Sequence, residues 1–464
     1  MTKITKRDVP EILALCGLMA LIVAIALFNG DAQQHVISRF DIATLLLPFA
    51  LLLGLPLLRK RGFEDQPFFP IGFCAVIFLL WVLVSMLFVV SEPMVFLTWG
   101  RYACYFLFIP IVGLLASEQR TRTMLYTLLV GVGAAVSLYA LYQYFAPSNP
   151  GAQYAAGDIS RRVFATFGNP NSLGEILLTP LAATVALFGS LKAKGRYALG
   201  LIFLLEVAAL FLTYSRASLL AFFVGTLFGI LLINWKAIIP AAVLTAIPTL
   251  FVPHILERIR DSFVIDASAE GRLIWWKAAI QSGLQSPVFG KGMLRVLRAT
   301  APKSLAIYKG YFNNDSHNSY IQMFAESGIP GLILFICIIG SFLWGAIYLS
   351  RRIKDNVSLS IQNAALAGGI AAYAVNAFFE SAFQHPRPAV YFLVMVGLMI
   401  GLGSGYWRKD EVALRDPHNR LERWWQNSAA RTLIFKTLSP VDVFAESKIA
   451  RLFITRYHHK QEQK

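Results

Sequence analysis

Along this chain, windows of about 17 to 25 residues pass almost free of charge, and this happens about twelve times. A backbone that enters hydrocarbon must satisfy its own hydrogen bonds, so each such window can be only a helix. The windows fall at 9–29, 41–58, 70–90, 96–116, 124–146, 171–191, 197–213, 215–233, 237–253, 320–349, 361–381 and 390–406. Composition agrees: 56% of the 464 residues are hydrophobic and 15% charged, against about 25% charged in a soluble chain. The expected fold is an all-α integral membrane protein of about twelve transmembrane helices. Cys16, Cys74, Cys104 and Cys337 each fall inside an apolar window, as small hydrophobes and not as a disulfide or metal framework. The first window lacks a small-residue cleavage site and is expected to remain as the first helix.

The formal charge of +16 is distributed as punctuation between the apolar windows. It forms no stripe with interleaved aromatics, which argues against nucleic acid. Lys3, Lys6 and Arg7, then Arg59, Lys60 and Arg61, Arg120 and Arg122, Lys192, Lys194 and Arg196, Lys236, and Arg351, Arg352 and Lys354 fall on alternate connections. Basic residues on short loops mark the cytoplasmic side, so both termini are expected inside. Four regions follow: helices 1–9 over 1–253, an outward loop with short amphipathic helices over 254–319, helices 10–12 over 320–406, and a basic cytoplasmic tail over 407–464. The tail mixes basic residues with Trp424, Trp425, Leu433, Ile434 and Phe435, the pattern of helices lying on anionic membrane lipids; docking of a partner is the alternative.

Ionisable groups within or beside spans cost about 2.5 to 3.5 kcal/mol at mid-depth and need a reason to be there. On the outward side they are Arg101, Arg161, Arg162, Glu175, Arg216, Arg272, His317, Glu380, His385 and Arg387. Arg216 lies in Thr213-Tyr214-Ser215-Arg216, a hinge so short that its guanidinium either snorkels to headgroups or clamps a phosphate. A helix expected over 266–293 carries Arg272 in its first turn, where the helix dipole opposes a cation unless it serves an anion; a solvated surface charge is the other reading. Trp275 and Trp276 on that helix suit a membrane interface. His317 and Asn318 precede the tenth span, as cap and interface residues or as part of a site. Asn169 and Asn171 either cap the sixth span or join Arg161 and Arg162 in holding sugar or phosphate. Glu175 would orient an arginine or serve as an alternative base, whereas Glu206, nearer mid-depth, suits helix pairing.

Two guanidiniums can neutralise a leaving diphosphate as a divalent metal otherwise would. A histidine, with an ordinary pKa of about 6.5, can accept the proton of an attacking hydroxyl. No outward Asp-x-Asp or His/Asp/Glu cluster supplies a metal site, so metal-free chemistry without a cofactor is expected. A secondary transporter also commonly has twelve spans, but its binding groups would lie near mid-depth in paired repeats.

In order along the chain stand Phe167-Gly168-Asn169-Pro170-Asn171, Thr213-Tyr214-Ser215-Arg216, Gly271-Arg272 with Trp275 or Trp276, Pro287-Val288-Phe289-Gly290-Lys291-Gly292, His317-Asn318-Ser319-Tyr320 and Glu326-Ser327-Gly328-Ile329-Pro330-Gly331. Through these the chain resembles the bacterial O-antigen ligase and polymerase superfamily, ligases above all. The resemblance implies transfer of a glycan from undecaprenyl diphosphate to the lipid A core oligosaccharide on the periplasmic face of the inner membrane, with inversion at the anomeric carbon. It implies His317, Arg216 and Arg272 as the catalytic side chains. Arg161, Arg162, Asn169, Asn171, Glu175, Trp275, Trp276 and Asn318 are the expected substrate-binding ones. Polymerases that extend the lipid-linked glycan and protein O-oligosaccharyltransferases share the same motifs, so the acceptor stays open.

Overall fold

A computed structural model describes residues 9–27, 42–61, 69–89, 93–146, 161–191, 193–233, 236, 267–292 and 316–406. All of these belong to one compact unit, Met1–Arg408. The expected ninth span at 237–253, most of the 254–319 loop and the 407–464 tail lie outside the described residues.

The described residues form twelve helices and no strand. They are α1 (Val9–Leu27), α2 (Ile42–Arg61), α3 (Phe69–Phe88), α4 (Pro93–Ala116), α5 (Gln119–Phe145), α6 (Pro170–Phe188), α7 (Ala193–Leu212), α8 (Arg216–Ile233), α9 (Ala267–Gln285), α10 (Ser319–Arg352), α11 (Val357–Asn376) and α12 (Pro386–Leu402). Seven are long and apolar enough to cross a membrane: α1, α4, α5, α6, α7, α8 and α10. Shorter apolar stretches lie in α2 (Leu46–Leu58), α3 (Cys74–Phe88) and α12 (Pro386–Leu402). Thus eleven of the helices coincide with expected spans, and α9 coincides with the expected amphipathic helix.

Large apolar side chains such as Leu52, Leu138, Leu201 and Ile336 face outward, as a lipid solvent permits. The interior is built differently. In α12 nearly every residue from Pro386 to Leu402 is buried, and α11 is buried along Ala364–Ala374 except at Ala365. The small residues of α11 explain how: Gly225 and Gly229 of α8 face Ala364, Gly368 and Ala372 at four-residue spacing. A Cβ on Gly229 would stand 2.6 Å from the Ala364 carbonyl oxygen, and one on Gly368 2.7 Å from that of Gly225. Backbones come this close only where side chains are absent, and the contact then supplies the packing that hydrocarbon cannot.

The ends of the bundle are tied separately. At one end Arg122 donates from Nη1 to the Ala116 carbonyl (2.7 Å) and from Nε to Gln362 (3.3 Å), and Gln362 donates on to Ser190 (3.1 Å). This joins the connections α4–α5, α6–α7 and α10–α11. The other end gathers α5–α6, α7–α8, α11–α12, α9 and the start of α10. α8 finishes away from it, and the expected ninth span lies between α8 and α9.

A break in α10 holds α9 in place. Pro330 has no amide to offer the Glu326 carbonyl, and Gly328 leaves helical geometry at φ 74° and ψ −174°. The carbonyls released are taken by the strap Pro287–Gly292: Lys291 donates to Ala325 (2.8 Å), Gly292 to Glu326 (3.0 Å), and Ile329 returns its amide to Pro287 (2.8 Å). Trp81 of α3 donates from its ring to the Ser327 carbonyl (2.8 Å). Phe289 stacks on Trp81 and Phe88, with centroids 5.6 and 4.3 Å apart. Two motifs far apart in sequence, 287–292 and 326–331, are therefore one docking joint, and every carbonyl exposed by the break finds a donor.

Replacing Gly368 by Val should wedge α11 from α8. The expected loss is about 1 to 3 kcal/mol from overpacking, read as a lower thermal midpoint of the detergent-purified protein. Substitution of the lipid-facing Leu201 by Val should leave the midpoint nearly unchanged.

Candidate active site

The end of the bundle that carries the joint also carries the polar residues. The segment 161–169 is pinned from both sides. Arg161 donates to the Tyr144 carbonyl (2.8 Å) and that of Ala146 (3.3 Å), closing the end of α5. Gln143 accepts from the amides of Phe164 (3.2 Å) and Ala165 (2.8 Å) and donates to the Ala165 carbonyl (3.0 Å). These bonds hold Ala165 at φ 48°.

Arg162 bridges to two neighbouring elements. Its Nε donates to the Thr213 carbonyl of the α7–α8 hairpin (2.9 Å), and its Nη2 donates to Asn171 Oδ1 (3.2 Å). Asn171 turns its amide nitrogen to Glu380 Oε1 (2.7 Å). The same oxygen accepts from Arg272 Nη2 at 2.5 Å, while Glu380 Oε2 lies 3.1 Å from His317 Nδ1. One carboxylate thus gathers side chains from α6, α9 and the approach to α10. The Glu380 side chain is 11% exposed, Arg272 17% and His317 33%, so the group is shielded yet open on the histidine side. The guanidinium–carboxylate contact of Arg272 with Glu380 belongs to the strong, charge-assisted class of hydrogen bond.

The turn bearing Glu380 is locked to the start of α10. Ser319 donates its amide to the Ala377 carbonyl (2.8 Å) and its hydroxyl to Gln384 (2.8 Å). Asn318 caps α10, accepting from the amides of Tyr320 (3.0 Å) and Ile321 (2.9 Å) and donating to the Phe378 carbonyl (2.9 Å). His317, at φ 51°, is thereby held against Glu380. Among the described residues, the non-glycine positions with positive φ are Ala165, Tyr214 and His317, all at this end. Such backbone costs about 1 to 3 kcal/mol each and persists only where its surroundings enforce it.

The expected site residues therefore divide. Arg272, His317, Asn171 and Arg162 meet on or through Glu380. Arg216 opens α8 just after Thr213, whose carbonyl holds Arg162, and is half-buried there. Tyr214 beside it is buried; burial first, then the neighbouring Tyr144 hydroxyl, pushes its phenol well above the ordinary range, so it stays neutral. Asn169 caps α6 through the Ser172 amide (2.9 Å). Glu175 is buried one turn below Asn171 and accepts from Asn376 (3.0 Å), within the helix packing. Trp275, like Ile321, packs against Ala278, Ala279 and Ala325. Trp276 keeps its ring nitrogen buried without a hydrogen-bond partner among the described residues. No group of three or more His, Cys, Asp or Glu side chains comes together among the described residues.

Glu380 is the residue that sequence reasoning passed over as a site member. A signal existed: the outward ionisable residues comprise several arginines but only two carboxylates, and shielded guanidiniums demand a counter-anion.

Residues 199–336 match the family model described as O-antigen ligase. The match supports the O-antigen ligase superfamily over that segment. No curated protein matches the chain. The matched segment runs from α7 into α10 and contains Arg216, Arg272 and His317; Arg162, Asn171 and Glu380 lie outside it. That family suggests glycosyltransferase-like ligases or polymerases of lipid-linked glycans, and the apolar helices of this chain suggest a multi-pass membrane protein.

Changing Asn318 to Ala removes the cap of α10 and the tie to Phe378. A loss of about 1 to 2 kcal/mol is expected from the cap, seen as a lower melting midpoint in detergent. Asn318→Asp restores the cap oxygen but not the donor, and should recover part of the loss.

Proposed function

We propose that this protein transfers a glycan from undecaprenyl diphosphate to a hydroxyl of the lipid A core oligosaccharide at the periplasmic face, with inversion and without a metal. The observation that carries this reading is the meeting of Arg272 and His317 on one shielded carboxylate. They sit at the end of the bundle opposite the basic residues Arg120, Arg122, Arg196, Arg351, Arg352 and Lys354. By the positive-inside rule, those basic connections belong in the cytoplasm and the Glu380 cluster outside it.

Arg216 and Arg272 are assigned to the diphosphate, where charge grows as the glycosidic oxygen departs. Once seated on the diphosphate, the guanidiniums stabilise that charge as it develops. His317 is assigned as base. It takes the acceptor hydroxyl proton as the acceptor oxygen bonds to the anomeric carbon, and the carbon–oxygen bond to the diphosphate breaks with its electron pair passing to the diphosphate. One displacement inverts the carbon and needs no covalent enzyme intermediate. Arg161, Arg162, Asn171 and Trp276 are assigned to substrate contacts.

The deciding assay offers the purified protein an undecaprenyl-diphosphate-linked glycan together with lipid A core. A conjugate of the two is expected. A lengthened lipid-linked chain or a glycosylated protein would instead assign polymerase or protein oligosaccharyltransferase activity, and no glycan product would end the reading. In the same assay His317→Ala should lower the rate by about 100-fold or more with the protein still folded in the membrane. A divalent-metal chelator should leave the wild-type rate intact, and strong inhibition would overturn metal independence.

A further inference from the structure

Glu380 stands where the diphosphate and the base would meet, yet it is itself an anion. Its Oε1 accepts from Arg272 at 2.5 Å and from Asn171 at 2.7 Å, and its Oε2 faces His317 Nδ1 at 3.1 Å. We infer that Glu380 is a positioning residue that occupies Arg272 until the donor arrives and holds the His317 imidazole with its proton on Nδ1. The inference rests on the transfer reading given above.

The tautomer follows from the pairing. A carboxylate oxygen only accepts, so the bond to Nδ1 requires the proton there, and the lone pair for the acceptor's proton then lies on Nε2. The exchange on Arg272 follows from charge. A diphosphate carries more negative charge than one carboxylate and matches the guanidinium fork equally well. When Arg272 turns to it, Glu380 does not swing away. Asn171 still donates to Oε1, and Asn171 is itself fixed by Arg162 at 3.2 Å. The carboxylate, no longer neutralised by Arg272, then acts more strongly on the imidazole. His317 thus becomes a stronger base only when the diphosphate is seated, which ties proton abstraction to the presence of a leaving group. Among the described residues, the charged groups linked to His317 through these hydrogen bonds are Glu380, Arg272 across it, and Arg162 beyond Asn171.

The test uses the full chain in lipid nanodiscs, with undecaprenyl diphosphate as the binding probe and the lipid-linked glycan as donor. Glu380→Gln removes a like charge beside the diphosphate, so undecaprenyl diphosphate should bind about tenfold more tightly. Transfer at saturating donor should fall by about 100-fold, since the base loses its anionic partner. A neighbouring carboxylate raises the pKa of a histidine, so its removal should carry the acid limb of kcat, which reports the donor-bound enzyme, about one unit lower in pH. Glu380→Asp is one methylene shorter and keeps the charge; losing reach to Arg272 and to His317 alike, it should gain donor affinity by less than the Gln variant and lower transfer at saturating donor. It carries the test should the Gln variant fail to fold. Unchanged or weaker probe binding in both variants, or an unmoved acid limb in Glu380→Gln, would make Glu380 a structural brace and overturn the inference while leaving the transfer reading intact. A wild type that binds the probe but transfers no glycan would overturn both.

Discussion

A carboxylate taken out of water must be answered in full, because its desolvation is repaid only by good geometry and complete hydrogen bonding. Glu380 is answered by Arg272, Asn171 and His317, and each comes from a different part of the chain. The requirement runs outward from there. Asn171 needs Arg162, Arg162 needs the Thr213 carbonyl, and Thr213 belongs to the hairpin that begins α8 with Arg216. Five segments are thereby registered to one another by a continuous line of polar contacts at one end of an otherwise apolar bundle. Such a network is worth most when every member is satisfied and becomes a liability when one is removed.

The apolar scaffold supplies the rigidity that this network assumes. Close approach of α8 and α11 through Gly225, Gly229 and Gly368 fixes the hairpin below Arg216 relative to the turn above Asn376 that bears Glu380. The α10 break does the same for α9. Its unsatisfied carbonyls capture the strap 287–292, and through the strap the helix carrying Arg272 is held beside His317. A straight α10 would have used those carbonyls internally and left α9 without this anchor. Proline and glycine, usually costs within a helix, here create the docking joint.

Backbone strain follows the same map. Ala165, Tyr214 and His317 adopt left-handed conformations where the three polar segments approach one another. Gln143 enforces the first, and the Asn318 cap with its tie to Phe378 supports the third. Together they keep side chains aimed inward that would relax elsewhere if the backbone were free to do so.

Hydrophobic windows and the alternation of basic connections made the helical membrane fold legible without coordinates, because hydrocarbon leaves a spanning backbone few alternatives. Helix bounds followed within a few residues at α3, α8 and α10, and α9 was recognisable from its aromatic face and the proline that follows it. The same residues named Arg272 and His317, whose cost at a membrane edge demands an explanation. What sequence could not assign was the use of each polar side chain. Asn169 and Asn171 lie two residues apart and look equivalent, yet one caps a helix and the other holds Glu380. Nor could it pair 287–292 with 326–331, or single out Glu380 from Glu175. Local pattern determines which residues must leave the lipid; only the packing of distant helices decides which of them meet, because a hydrogen bond depends on ångströms of separation that spacing along a chain does not encode.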